Sequence, residues 1–299
     1  KSPCAHAMPT GPGQTVLDRP ESAASAPLKA LPDESAAGDA SGMASAAPAD
    51  GRFQHREVPN DPPRPRPALA PAGAIAHRGP WVRGPYVSVQ VNVDAEGNNI
   101  VGDAANEPSI AIDPTDPSRI VIGWRQFDSV ESDFRQAGYG YSHDGGVTWT
   151  FPGSLAPGIF GSDPVLASGP NGEVYYLSID FSQMRLFRSL DAGVSWESPR
   201  ILTGGFWDKP WMVTDTREGI GQSRLYVFAQ GRLIRSFDEG ESSDSVYPNV
   251  FGVFWGTLAI GLNGELYLAS DAVYRSPNAN DPHARPTFEN LTPQTSDRP

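Results

Sequence analysis

From about residue 86 onward the chain alternates short apolar runs with polar turns, and no stretch spaces its apolar residues as a helix would. Tyr86-Val87-Ser88-Val89-Gln90-Val91-Asn92-Val93 alternates at period two, which predicts a strand that either closes the ring or packs beside the first repeat. The later runs come in sets. First strands are expected at 106–112, 162–167, 208–213 and 255–260, and second strands at 119–124, 173–177, 224–228 and 265–268. Third strands are expected at 138–141, 184–188 and 231–235. The turns between them hold Asp, Asn, Pro and Gly, as in Asp113-Pro114-Thr115-Asp116-Pro117 and Gly169-Pro170-Asn171-Gly172.

One phrase follows each third run. It reads S-H-D-G-G-V-T-W from Ser142 to Trp149 and S-L-D-A-G-V-S-W from Ser189 to Trp196, a spacing of 47 residues. The same interval later, Ser236-Phe237-Asp238-Glu239-Gly240 keeps Ser, Asp and Gly and loses the Trp. A fourth copy, Arg275-Ser276-Pro277-Asn278, reads as degraded. The chemistry is that of a hairpin clamp. The carboxylates of Asp144, Asp191 and Asp238 accept turn N–H groups, and Gly146, Gly193 and Gly240 supply a positive φ. Ser142, Ser189 and Ser236 open each clamp, while Trp149 and Trp196 offer large rings for burial. Four strands per roughly 40–50 residues is the mark of a propeller blade. The expected fold is all-β, a β-propeller of four-stranded antiparallel blades starting near 106, 162, 208 and 255.

The S-x-D-x-G-x-[S/T]-W phrase resembles the Asp-box, or bacterial neuraminidase repeat, of the sialidase superfamily. The resemblance implies a clamp between the third and fourth strands of each blade, on the rim away from the active face. It also implies a ring of about six blades. A chain that opens without Met and ends just after its fourth blade is then expected to be part of a larger ring. In the sialidases three Arg hold a substrate carboxylate, a Tyr paired with a Glu is the nucleophile, an Asp is the acid/base, and an Arg-Ile-Pro motif precedes the first Asp-box. This sequence has no Arg-Ile-Pro. Arg188, Arg235 and Arg275 each stand just before a clamp Ser, and one repeated strand position predicts packing within the blade rather than convergence on a pocket.

Residues 1–85 are different material, rich in Ala, Pro, Ser and Gly, with a Pro-rich run at Asn60-Asp61-Pro62-Pro63-Arg64-Pro65-Arg66-Pro67. They read as a disordered tether, and 86–299 as the propeller domain. Cys4 is the single Cys, so no intrachain disulfide forms. Its place ahead of a tether suits a lipid anchor, but Lys1-Ser2-Pro3 lacks the small-residue signal of one. Secretion or a bacterial cell-surface location is expected from the resemblance and the tether. The chain carries 35 acidic and 23 basic residues, a net charge of −12, which disfavours nucleic acid as a partner. No apolar run is long enough to span a membrane.

Candidate chemistry lies where the inner strands begin. Glu107, Asp163, Asp208 and Lys209 open that strand in three successive blades, and Arg125 follows Trp124 on a second strand. Charged groups around the axis are expected to bind a carbohydrate or extracellular protein ligand; the alternative is strand ends capped in water. No cofactor or metal is expected: Asp94-Ala95-Glu96-Gly97-Asn98-Asn99 has its Gly too early for a calcium loop and reads as a hairpin turn. The segment Gln126 to Gln136, with Asp128, Glu131 and Asp133, is expected to overhang the funnel. The aromatic cluster Phe206-Trp207-Asp208-Lys209-Pro210-Trp211 and the pair Phe254-Trp255 are expected in interblade cores, with stacking on a sugar face as the alternative. Asn290-Leu291-Thr292 matches a glycosylation sequon without expected meaning. The leading expectation is an exported, sialidase-like ligand-binding propeller. The alternative is an exo-sialidase or related glycoside hydrolase whose other catalytic residues lie outside this chain.

Overall fold

Trp81–Arg83 (β1) and Tyr86–Ser88 (β2) form a two-stranded hairpin at the start of the computed structural model. The structure describes residues 80–180, 182–205, 207–217, 224–246 and 255–292. The tether expected over 1–85 therefore falls almost wholly outside the described residues, and β1 begins ahead of the boundary expected at 86. The strand expected through Val93 stops at Ser88, because the chain then turns onto the flank of the first blade. There Val93 is buried and pairs with Asn99 in an isolated bridge. Val91 and Trp124 close over Gly140, where an added Cβ would lie 2.7 Å from Val91. Between the bridge partners, Asp94 Oδ1 accepts the N–H groups of Glu96 and Asn98 at 3.0 and 2.7 Å, the expected hairpin turn.

Four antiparallel four-stranded sheets follow, each an up-and-down meander. Blade I is Ala104–Ile112 (β3), Ile120–Phe127 (β4), Arg135–Ser142 (β5) and Thr150–Ser154 (β6). Blade II is Ser162–Ser168 (β7), Val174–Ile179 (β8), Gln183–Ser189 (β9) and Arg200–Gly204 (β10). Blade III is Trp211–Asp215 (β11), Arg224–Ala229 (β12), Arg232–Ser236 (β13) and Asp244–Val246 (β14). Blade IV is Thr257–Ile260 (β15), Leu266–Ala269 (β16), Val273–Ser276 (β17) and Glu289–Asn290 (β18). The first strands β3, β7, β11 and β15 neighbour one another in order. The fold is a β-propeller, and no helix occurs among the described residues.

Blades packed on both faces need apolar side chains on both faces, so their strands read as runs rather than as alternations. All six residues of β8 are buried. Tyr175, Leu177 and Ile179 join Met212, Leu225 and Val227 of blade III, while Val174 and Tyr176 join Val121 and Tyr139 of blade I. A third cluster joins Tyr226 and Phe228 to Leu266 and Leu268 of blade IV. Trp207 lies in the blade II–III core as expected, with the Arg232 guanidinium 5.0 Å above its ring. Trp211 and Trp255 depart from the expectation: both are nearly half exposed. Blade III starts at Trp211 rather than Asp208, and blade IV at Thr257 rather than Trp255. Phe206 and Phe254 lie outside the described residues.

The clamps act as their residue types predict. Asp144 takes the Thr148 N–H on Oδ1 at 2.9 Å and the Thr148 hydroxyl on Oδ2 at 2.6 Å, and the Ser142 hydroxyl donates to it at 2.7 Å. Asp191 with Ser195 and Asp238 with Ser242 repeat the arrangement. The fourth copy is less degraded than its sequence reads. Asn278 Oδ1 accepts the N–H and hydroxyl of Thr287 at 2.9 and 3.1 Å, nine residues on instead of four. The three Arg before the clamp serines bind fourth-strand-side acids of their own blades, Arg188 to Glu197, Arg235 to Asp244 and Arg275 to Glu289. They are blade braces, as their repeated position implied.

These bonds make the clamps acid-sensitive. Bonds from Thr148 and Ser142 pull the Asp144 carboxyl from 3.8 down to about 2. Burial pushes Asp191 and Asp238 upward, but bonds from Ser195 and Ser189, and from Ser242 and Ser236, outweigh it and leave both lowered. A carboxyl depressed in the fold contributes stability that is present above its unfolded value and lost as pH falls through the folded one. The melting temperature is therefore expected to drop between about pH 4 and about pH 2. Asp144→Asn should lower it at neutral pH and shrink that acid-side drop, measured by calorimetry across the range.

Candidate ligand site at the blade mouths

Register fixes which residues share an end of the propeller. Ala104 pairs with Phe127 and Phe127 with Arg135, whereas Ile120 pairs with Ser142. The starts of the first strands therefore lie at one end, the mouth, and the clamps at the other.

At the mouth three blades carry the same step, an ionisable residue before Pro: Glu107-Pro108, Asp163-Pro164 and Lys209-Pro210. A proline cannot donate to the ladder, so the step interrupts pairing. Register shifts between Asn106 and Ser109 in blade I and between Ser162 and Val165 in blade II. In blade III the step stands just ahead of β11. Glu107, Asp163 and Lys209 all hold positive φ, at 51°, 48° and 48°. Such a backbone costs on the order of 1–3 kcal/mol at each non-glycine position and persists only where its surroundings compensate. Bulges of this kind re-aim side chains.

Here they bring three side chains together. Lys209 Nζ lies 3.1 Å from both carboxylate oxygens of Glu107 and 3.5 Å from Asp163 Oδ1. The Lys209 N–H also donates to Asp163 Oδ2 at 2.8 Å. Arg125, paired with Asn106 across the ladder, donates to Asn106 Oδ1 and ion-pairs with Glu107 Oε1, each at 2.8 Å. On the far side the Ser162 hydroxyl donates to Asp163 Oδ1 at 3.0 Å, and Arg135 Nε donates to Ser162 Oγ at 3.3 Å. The Arg135 guanidinium lies 4.9 Å from the Phe160 ring centroid. The result is a continuous polar chain from Arg125 through Glu107, Lys209 and Asp163 to Arg135. Asp163 is only 4% exposed, whereas the Glu107 and Lys209 side chains are 37% and 43% exposed, so the outer pair faces solvent.

A cavity of 180 Å³ sits on this triad, walled by the three prolines and by Trp211. Ligand pockets run to roughly 300–1,000 Å³, so this one takes a single ring or side chain of a larger ligand. It offers carboxylate acceptors, an ammonium donor and one indole. No cluster of three metal-ligating side chains occurs among the described residues.

Four of the five expected site residues meet, namely Glu107, Arg125, Asp163 and Lys209. Asp208 does not line the cavity; it is buried one residue ahead of Lys209. The loop expected from Gln126 to Gln136 is shortened to 128–134. Gln126-Phe127 and Arg135-Gln136 extend β4 and β5, and Asp128 is buried against Gln136 Nε2 at 2.9 Å. Sequence reasoning missed Ser162 and Arg135, and took the sugar-facing place of Trp211 only as an alternative to the core. Ser162 was findable, since it precedes Asp163 as Asn106 precedes Glu107; Arg135 has no counterpart in the repeat.

No protein-family model and no curated protein matches the chain. Among solved structures it is similar to the Niastella koreensis GH74 enzyme, at 20% identity and TM-score 0.39, over 57% of this chain and 22% of that one. It is similar to the leech intramolecular trans-sialidase complexed with 2,7-anhydro-Neu5Ac, at 15% and 0.36, over 58% and 29%. It is also similar to YCF48 bound to D1 peptide, at 16% and 0.43, over 66% and 56%. The chain thus spans less than two thirds of each of these three. They are likenesses to sialidase-like and other propeller structures, and the fold itself rests on the four blades described above.

Proposed function

We propose that this chain is an exported, sialidase-like Asp-box propeller that binds a glycan or an extracellular protein ligand at its mouth. The observation that carries the reading is the Glu107–Lys209–Asp163 triad, gathered from three blades by three positive-φ residues before proline. Stored strain that converges three side chains on a cavity marks a binding site better than it marks a strand cap. Carboxylates and an ammonium beside Trp211 suit a hydroxyl-rich ring, whose hydroxyls both donate and accept while its face stacks on indole. An anionic sugar is the poorer fit, because Arg125 and Lys209 are already engaged by Glu107. No described helix is long and apolar enough to cross a membrane.

A second reading is hydrolysis. The observation favouring it is that Glu107 and Asp163 put two carboxylates on one ammonium. Fluorogenic neutral glycosides and sialosides separate the readings. Binding on a glycan array without turnover is the expected result, and turnover lost in Asp163→Asn would establish the enzyme instead. A flat array, with no glycan or protein ligand retained by the parent chain, would remove the binding reading.

A further inference from the structure

The repeat supplies its own control for the two clamp tryptophans. Trp196 packs edge-on against Tyr139 of blade I and Tyr176 of blade II, with ring centroids 5.4 and 6.1 Å away. Trp149 holds the same place in blade I and donates its Nε1–H to Gly146 O at 3.1 Å. Its outer side meets no aromatic partner among the described residues. It lines one wall of a cleft opposite the 89–99 segment, which caps blade I through Val91, Val93 and the Asn92 Nδ2 to Asp103 Oδ2 bond of 3.1 Å. Between that cap and the clamp lies a 630 Å³ cleft, distinct from the mouth cavity.

The cleft wall is specific in chemistry. Gln90 donates to Asn99 Oδ1 at 2.7 Å and to Asn92 Oδ1 at 3.2 Å, which fixes its amide plane. Asn98 donates to both oxygens of Asp94 at 3.1 and 3.0 Å. Among the described residues Gln90 Oε1, Asn98 Oδ1 and the Glu96 carboxylate then accept no hydrogen bond, and Asn99 Nδ2 donates none. All four residues line the cleft with Trp149, and no Lys or Arg does. A phosphate or anionic sugar finds no counter-cation there. We infer that this cleft is a second ligand site, which takes an uncharged oligosaccharide with one ring on the Trp149 indole and its hydroxyls on the oriented amides and Glu96. The inference does not rest on the mouth site.

The test is calorimetric titration of the full chain with maltotriose, cellotriose, chitotriose and laminaritriose, with sialyllactose as the charged comparison and an arginine-rich peptide as the basic one. Binding of at least one neutral trisaccharide is expected, weakened about tenfold by Trp149→Ala. The variant Glu96→Ala/Asn98→Ala should weaken it in the same direction, and Trp149→Tyr should recover most of it. Leu262→Ser, on an exposed turn of blade IV away from both sites, should leave it unchanged. Affinity unaltered by Trp149→Ala and by Glu96→Ala/Asn98→Ala would overturn the inference. So would binding of the peptide or sialyllactose in place of every neutral sugar.

Discussion

Tyr176→Ala is expected to cost about 4 kcal/mol of stability and to lower the melting temperature by about 10 °C. The ring is fully buried and lies where Gly123 of the neighbouring blade has no side chain; a Cβ there would stand 2.3 Å from Tyr176 Cε2. It meets Phe187 and Trp196 edge-on, with centroids 6.2 and 6.1 Å away. Its hydroxyl donates across the blade boundary to Gly138 O at 3.0 Å. Truncation removes the packing, leaves a cavity between blades I and II, and strands a buried carbonyl. Tyr176→Phe separates these effects, because it keeps the ring and loses only the hydroxyl; about 1–2 kcal/mol is expected from it. Urea unfolding of both variants checks the pair. Equal losses would mean that the hydroxyl rather than the ring joins the blades.

Lys209→Met is expected to weaken ligand capture at the mouth about 30-fold or more while the blades stay folded. The ammonium is the shared partner of Glu107 and Asp163, and Asp163 is nearly inaccessible to water. Without it two carboxylates face one cavity held by Arg125, Ser162 and the backbone N–H of residue 209, and their repulsion should splay the bulges. Glu107→Gln is the milder partner variant, since its amide still accepts from Arg125 and Lys209. Affinity for whichever glycan the array retains, with near-UV circular dichroism as the check on folding, decides the matter. Unchanged affinity in both variants would leave the triad as a brace between blades.

Much of this was legible in the chain because the interactions concerned are local. Asp144 reaches Thr148 four residues away, and Ser142 reaches Gly146, so spacing alone gave the clamp its chemistry. Strand order followed from the runs, since a meander pairs neighbours in sequence. The fourth clamp read as degraded because its acceptor is Asn278 and its donor, Thr287, stands beyond an inserted loop; side-chain geometry is kept there while spacing is not.

The site divides along the same line. Equivalent places in the repeat were enough to single out Glu107, Asp163 and Lys209. Asp208 was joined to them, but the positive-φ backbone at Lys209 re-aims that side chain alone and leaves Asp208 buried. Trp207 and Trp211 part across the same positive-φ step: one enters the blade II–III core and the other stands at the mouth. Lys209 meets Glu107 across 102 residues and Asp163 across 46, distances over which sequence carries no pairing rule. The amino-acid order by itself determined that this protein is a series of clamped four-stranded blades with charged residues where the inner strands begin. Only the tertiary structure decided which charges meet and which tryptophan faces a cleft, because those outcomes depend on how blades pack side by side and on bulges that re-aim a single residue.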